Sequence, residues 1–168
     1  MKVSLANLLL LINQKEKEVS ELHNEVIRNS MVIKDREIDG RETVLNEVQN
    51  FDSLIKDYFA VCDELTKYKN LLAKNNASVI LESGITIIEA INVLSILRKK
   101  LYLFDILVTK KPSLDRKSDG NGISSYYRVN DLNFNLELVK HDRLSIQDHI
   151  SKLESEIQKA NNENFVEI

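Results

Sequence analysis

The chain has 168 residues, 43% hydrophobic and 29% charged, with a formal net charge of −3. That length fits one domain, that apolar fraction supports a core, and the charge balance argues against a general nucleic-acid binder with a basic face. Four glycines, one proline and no tryptophan argue against a turn-rich sheet fold, and the single Cys62 excludes an intrachain disulfide.

Helix one is expected over about residues 3–28. Leu5, Leu8, Ile12, Lys15, Val19, Leu22 and Val26 alternate by threes and fours, which places them in one coiled-coil seam. Lys15 is the polar entry in that seam, either fixing register or, as expected here, snorkelling outward on its long stem. Lys2 ahead of the apolar run Leu8–Ile12 raises a signal peptide. No small-residue cleavage site follows, so a soluble amphipathic helix is the expectation. Asn29 to Arg41 reads as a connector with a turn at Asp39-Gly40, and Met31, Val32 and Ile33 are expected to pack beneath it.

Helix two is expected over about residues 42–75, on the seam Val44, Val48, Phe51, Ile55, Tyr58, Cys62, Leu65, Lys69 and Leu72. At about 1.5 Å per residue it is roughly 50 Å long, which implies an elongated molecule. Asn75-Asn76 is its expected end. Gly84 closes a short apolar link, and helix three follows over about residues 85–110, with Thr86 and Glu89 at capping-box spacing. It is apolar nearly all round, so burial on most faces is expected, at the centre of a bundle or of an oligomer. The breakers Pro112, Asp119, Gly120 and Gly122 mark an exposed loop over 110–122. A β-like arm or hairpin is expected near 123–130, through Tyr126 and Tyr127. Helix four spans about 131–161, on Leu132, Leu136, Val139, Arg143, Ile146, Ile150, Leu153, Ile157 and Ala160, with fraying expected after Asn164. The fold class is therefore all-α: one domain over 1–168, an elongated antiparallel bundle or coiled coil of about four helices.

Chemistry is sparsely written. His141 lies four residues after Glu137, a spacing that suits a surface pair or, with a ligand from another helix, a metal. The surface pair is the expectation. Cys62 sits in a seam and should behave as a small apolar residue. Asp115 to Gly120 fails as a calcium loop, because Lys117 stands where an oxygen ligand belongs. No phosphate loop, catalytic pair, metal site or cofactor site is expected. Two features suit binding instead. Arg98, Lys99 and Lys100 form a basic cluster near the end of helix three, suited to an anionic membrane surface or nucleic acid, or, as expected here, simply to the helix dipole. Tyr126, Tyr127 and Arg128 are residue types that anchor protein partners, or equally that cover the end of the bundle.

The order of markers resembles the septicolysin-like family of small bacterial helical proteins. It runs Arg28-Asn29-Ser30, Asn75-Asn76, Gly84-Ile85-Thr86 with Glu89-Ala90, an Arg98-containing helix, then Asp142, Ile157-Gln158 and Asn161. The chain departs from the family pattern at Glu154, where Asp is expected, and at Asn162, where Trp is expected. The resemblance implies a bacterial, mainly helical, oligomeric coiled-coil protein, and the family's name suggests a cytolysin. The expected function is non-enzymatic, through self-assembly as a homo-oligomer or through a protein partner, in the cytoplasm, without nucleic acid. The alternatives are a membrane-active protein and an enzyme or metal-binding protein with its site at an oligomer interface.

Overall fold

The computed structural model describes residues 1–46, 49–118, 120 and 125–168. Its helices are α1 (Leu5–Arg28), α2 (Phe51–Ser78), α3 (Ile87–Val108) and α4 (Leu136–Glu163). Its strands are β1 (Lys2–Ser4), β2 (Lys34–Arg36), β3 (Glu42–Val44), β4 (Ser113–Ser118), β5 (Ser125–Asn130) and β6 (Phe165–Glu167). The strands pair as three antiparallel two-stranded sheets, β1–β6, β2–β3 and β4–β5. The all-α expectation is thereby corrected to a mixed helix-and-strand fold. The chain divides into two compact units, one of residues 1–79 with 158–168 and one of residues 80–157.

In the first unit α1 and α2 run antiparallel. Lys15 Nζ reaches Glu64 at 2.8 Å, Lys69 Nζ reaches Glu16 at 2.6 Å, and the His23 and Tyr58 rings lie 6.2 Å apart. Ser4 starts α1 by accepting the Asn7 N–H on its hydroxyl, which satisfies one of the free amides of the first turn. Leu5, Leu8 and Ile12 are buried, whereas Val19, Leu22 and Val26 on the same seam are only half-buried. Lys15 remains at the seam, its ammonium bound by Glu18 and Glu64, and those two partners hold its pKa above the usual lysine value. On α2 the buried residues are Leu54 and Val61, and Cys62 is half-buried and in no disulfide. α2 continues through Asn75-Asn76 to Ser78.

Three expectations about this unit are overturned. Helix two does not begin at Glu42. The turn at Asp39-Gly40, with Gly40 at φ +87°, sends the chain back, and Thr43 and Val44 are β-branched residues that suit a strand. Glu42 then takes both Lys34 and Arg36 across the hairpin, and Asn50 caps α2, which starts at Phe51, nine residues later than expected. Val48, the other early seam residue, lies outside the described residues. Met31, Val32 and Ile33 do not pack beneath the turn but are exposed. The residues after Asn164 form β6 rather than fraying: Val3 and Val166 pair and are both buried, and the Leu5 N–H donates to the Asn164 carbonyl at 2.9 Å.

In the second unit Gly84, at φ +82°, makes the turn from Leu81, and Ile80 bridges Thr86. Thr86 and Glu89 form the capping box that starts α3. α3 and the first part of α4 are antiparallel, joined by Arg98 to Glu154 and by Arg143 to Asp105, each at 2.6 Å. Ile87, Ala90, Leu94 and Leu97 are buried on α3, and Val139, Ile150 and Leu153 on α4. α4 begins at Leu136 because the Asn135 side chain accepts the Glu137 and Leu138 N–H groups, and it runs past Asn161-Asn162 to Glu163. The stretch expected as an exposed loop instead supplies β4, which pairs with β5 from Ser113↔Asn130 to Ser118↔Ser125. Asp119, Gly122 and residues 123–124, which belonged to the expected loop and arm, lie outside the described residues.

Candidate interaction surface

α3 is the most apolar helix, yet in this chain it buries one side only. Ile96 is 51% exposed and Leu103 53%, and Ile88, Ile91 and Ile106 are each about two-fifths exposed. Ile88, Ile91, Tyr102 and Ile106 are separated by whole helical turns, so they form one outward stripe. On another side, Val93, Ile96, Leu97 and Lys100 join His149 of α4 in an open groove of about 510 Å³. Burial on most faces within one chain, as the centre of a bundle, is not what the structure shows, because the neighbouring helix covers one face only.

The basic cluster is not a unit. Arg98 is committed to Glu154, Lys100 lines the groove, and Lys99 is exposed. Further on, Arg116 and Lys117 are consecutive strand residues and so point to opposite faces of the β4–β5 hairpin. The structure therefore distributes these cations rather than gathering them.

The hairpin carries the second predicted cluster. Its register sets Leu114 opposite Val129 and Arg116 opposite Tyr127 on one face, and Asp115 opposite Arg128 and Lys117 opposite Tyr126 on the other. The Arg116 guanidinium also donates to the Ser125 hydroxyl at 3.3 Å, and the Asn130 amide to the Ser113 hydroxyl at 3.0 Å. Every residue of both strands is exposed, with Tyr126 at 49%, Tyr127 at 63% and Val129 at 58%. Tyr126 and Arg128 thus share a face while Tyr127 takes the other, and all three lie on one edge strand.

Groups with reactive potential stay apart. Glu137 takes Lys140 at 2.7 Å, and His141 lies 3.5 Å from Asp142, so the helical Glu137–His141 neighbours are not paired. Among the described residues no three of the His, Cys, Asp and Glu side chains are grouped to hold a metal. The Tyr58 hydroxyl interacts with Cys62, which pushes the tyrosine pKa up. Glu156 is a carboxylate that the sequence pattern did not single out. It is buried on α4 and accepts the Ser83 N–H at 3.0 Å, and the Ser83 hydroxyl and N–H lower its pKa. The one signal for it was its place beside Leu153 and Ile157, one turn along the seam.

Among the described residues no helix is long and apolar enough to cross a membrane. No family model matches the chain, and no curated protein matches it. A crystal structure described as a functionally unknown conserved protein from Corynebacterium diphtheriae has a similar fold. The TM-score is 0.71 at 15% identity, over 99% of this chain and 100% of that one. At that identity the likeness concerns fold alone.

Proposed function

We propose that the protein acts without catalysis, by associating with further copies of itself and, through the same surfaces, with a protein partner. The observation that carries this reading is the apolar surface left on α3. Fully burying an Ile or Leu stabilises by about 1.5–3 kcal/mol, so side chains left half exposed retain on the order of 1 kcal/mol each for an association. Soluble monomers seldom leave such residues contiguous. The hairpins support the same reading, because an isolated two-stranded hairpin is marginal in water. The cytoplasm suits the chain, since its one cysteine forms no disulfide.

Light scattering coupled to size exclusion tests the reading. The expected mass is a multiple of 19.3 kDa. A mass of one chain throughout roughly 1–100 μM, the range in which micromolar association reads out, sinks self-association.

Membrane contact is the second reading, favoured by exposed Tyr102 and Leu103 near Lys99 and Lys100 on α3, and by the resemblance to the septicolysin-like family. Flotation with vesicles containing phosphatidylserine at low salt tests it, and absence from the floated fraction removes it.

A further inference from the structure

We infer that β5 is an association edge, at which two copies of this chain pair β5 against β5 and join their hairpins into one four-stranded antiparallel sheet. The inference rests on the self-association reading above and says where one contact lies.

In a two-stranded sheet each strand leaves one edge open, and here the two edges differ. β4 carries Asp115, Arg116 and Lys117 in succession. A run of charges, lysine above all, is what guards a strand edge against pairing. β5 carries Tyr126, Tyr127 and Val129 with the single charge of Arg128, so it lacks that protection. Aromatic and β-branched residues are also those that gain most from cross-strand contact. The open edge is therefore the one built to pair.

A second copy is the occupant because the need is reciprocal. Each hairpin is one strand or more short of the number that is stable by itself, and pairing two supplies four. The side chains are self-complementary when the axis passes through Tyr127. Antiparallel pairing of identical strands about a two-fold axis sets one residue opposite itself. With Tyr127 on the axis, Tyr126 lies opposite Arg128 in both halves, and Ser125 lies opposite Val129. The two Tyr126–Arg128 pairs bring a guanidinium to an aromatic ring, and the axis holds a pair of tyrosines. With Arg128 on the axis, two guanidinium groups would face each other, a destabilising arrangement. The observed pairing within each hairpin extends the rows. Arg116 flanks Tyr127 on one face, so the axial row runs Arg116, Tyr127, Tyr127, Arg116; on the other face the row runs Asp115, Arg128, Tyr126, Lys117, and no two like charges are neighbours in either.

The experiment uses the full chain carrying Cys62→Ser, with Tyr127→Cys or Leu114→Cys added, oxidised with diamide at about 10 μM, a concentration at which micromolar association is populated. Directly opposed residues of paired strands have Cα atoms about 4.5–5.5 Å apart, within disulfide reach. The expected result is a disulfide-linked dimer on a non-reducing gel for Tyr127→Cys and little for Leu114→Cys, which marks the guarded edge. In parallel, Tyr127→Lys places two ammonium groups on the axis and weakens association roughly tenfold, with the helical circular dichroism unchanged. If the parent is oligomeric but the Tyr127→Cys variant does not cross-link, or the Leu114→Cys variant cross-links as readily, the β5 edge is overturned and self-association is left standing. A monomeric Cys62→Ser parent overturns both.

Discussion

Glu156 and Thr86 stand at the two ends of one small construction, the turn that delivers the chain into α3. The Thr86 hydroxyl oxygen accepts the Glu89 N–H, and the Glu89 carboxylate in turn accepts from the Thr86 N–H at 2.7 Å and from its hydroxyl at 2.8 Å. Those bonds hold the Glu89 carboxyl below the usual carboxylate range, the Thr86 N–H contributing most. Replacing an N-cap hydroxyl by a methyl leaves an amide unsatisfied, so Thr86→Ala is expected to cost about 1 kcal/mol in urea unfolding. Glu156 fixes the other side of the turn through Ser83. Its pKa is lowered in the folded chain, so its contribution to stability is present in full above the ordinary carboxylate range. That contribution is lost as pH falls through the lowered value, where the unfolded chain takes up the proton first. Glu156→Gln cannot titrate. Its melting temperature is expected to lie a few degrees below the parent at pH 7, with the gap narrowing as the pH drops below about 4. A gap that stays constant from pH 7 to about pH 3 would count against the Ser83–Glu156 bond as the source.

Among the elements, α3 divides most sharply into a face that folds the chain and a face that does not. Ile87 is 1% exposed, so Ile87→Ala is expected to cost about 2–5 kcal/mol, read as a shift in the urea midpoint. Ile96→Ser, on the open side, is expected to cost monomer stability about 1 kcal/mol, well short of Ile87→Ala, and to lower the apparent mass at fixed concentration. That contrast was half legible in the sequence. Parts of the α1 and α4 seams could be read because a three-four spacing of apolar residues is what one helix against another requires: Leu5, Leu8 and Ile12, and Val139, Ile150, Leu153 and Ala160, are buried where the spacing puts them, whereas α2 buries Leu54 and Val61, one position off the expected seam. α3 has no such spacing, and a helix apolar all round does not say which side its own chain will cover. The strands were harder for a different reason. β1, β2, β3 and β6 are three residues each, too short for a period of two to stand out, and what makes them strands is a partner distant in sequence for β1 and β6. Val44 fitted a helical seam by spacing alone, and the turn at Gly40 decided against it. Of the candidate surface, Tyr126, Tyr127 and Arg128 were legible as residue types. Their division between two faces came only with the register, since a shift by one residue would exchange the faces.

For the whole molecule the question is whether the folded chain is complete alone. Surface that waits for a second copy makes stability a function of concentration, because unfolding then releases two chains from one assembly. For a dimer, each tenfold rise in concentration adds about 1.4 kcal/mol per mole of dimer to the unfolding free energy. The unfolding entropy of two such chains is large, about 2.1 cal/mol/K per residue, so the expected rise in melting temperature is only about 2 °C per tenfold. Calorimetry over a hundredfold range makes that measurable, as roughly 4 °C. The dependence should vanish in a variant that stays folded and monomeric, and Ile96→Ser combined with Tyr127→Lys is designed to be one, since neither side chain is part of the buried core. Helical circular dichroism equal to the parent's would establish that it is folded. If the parent melts at one temperature across the whole range while the double variant matches it, the exposed face of α3 and the β5 edge contribute nothing to stability through association, and the chain is complete by itself.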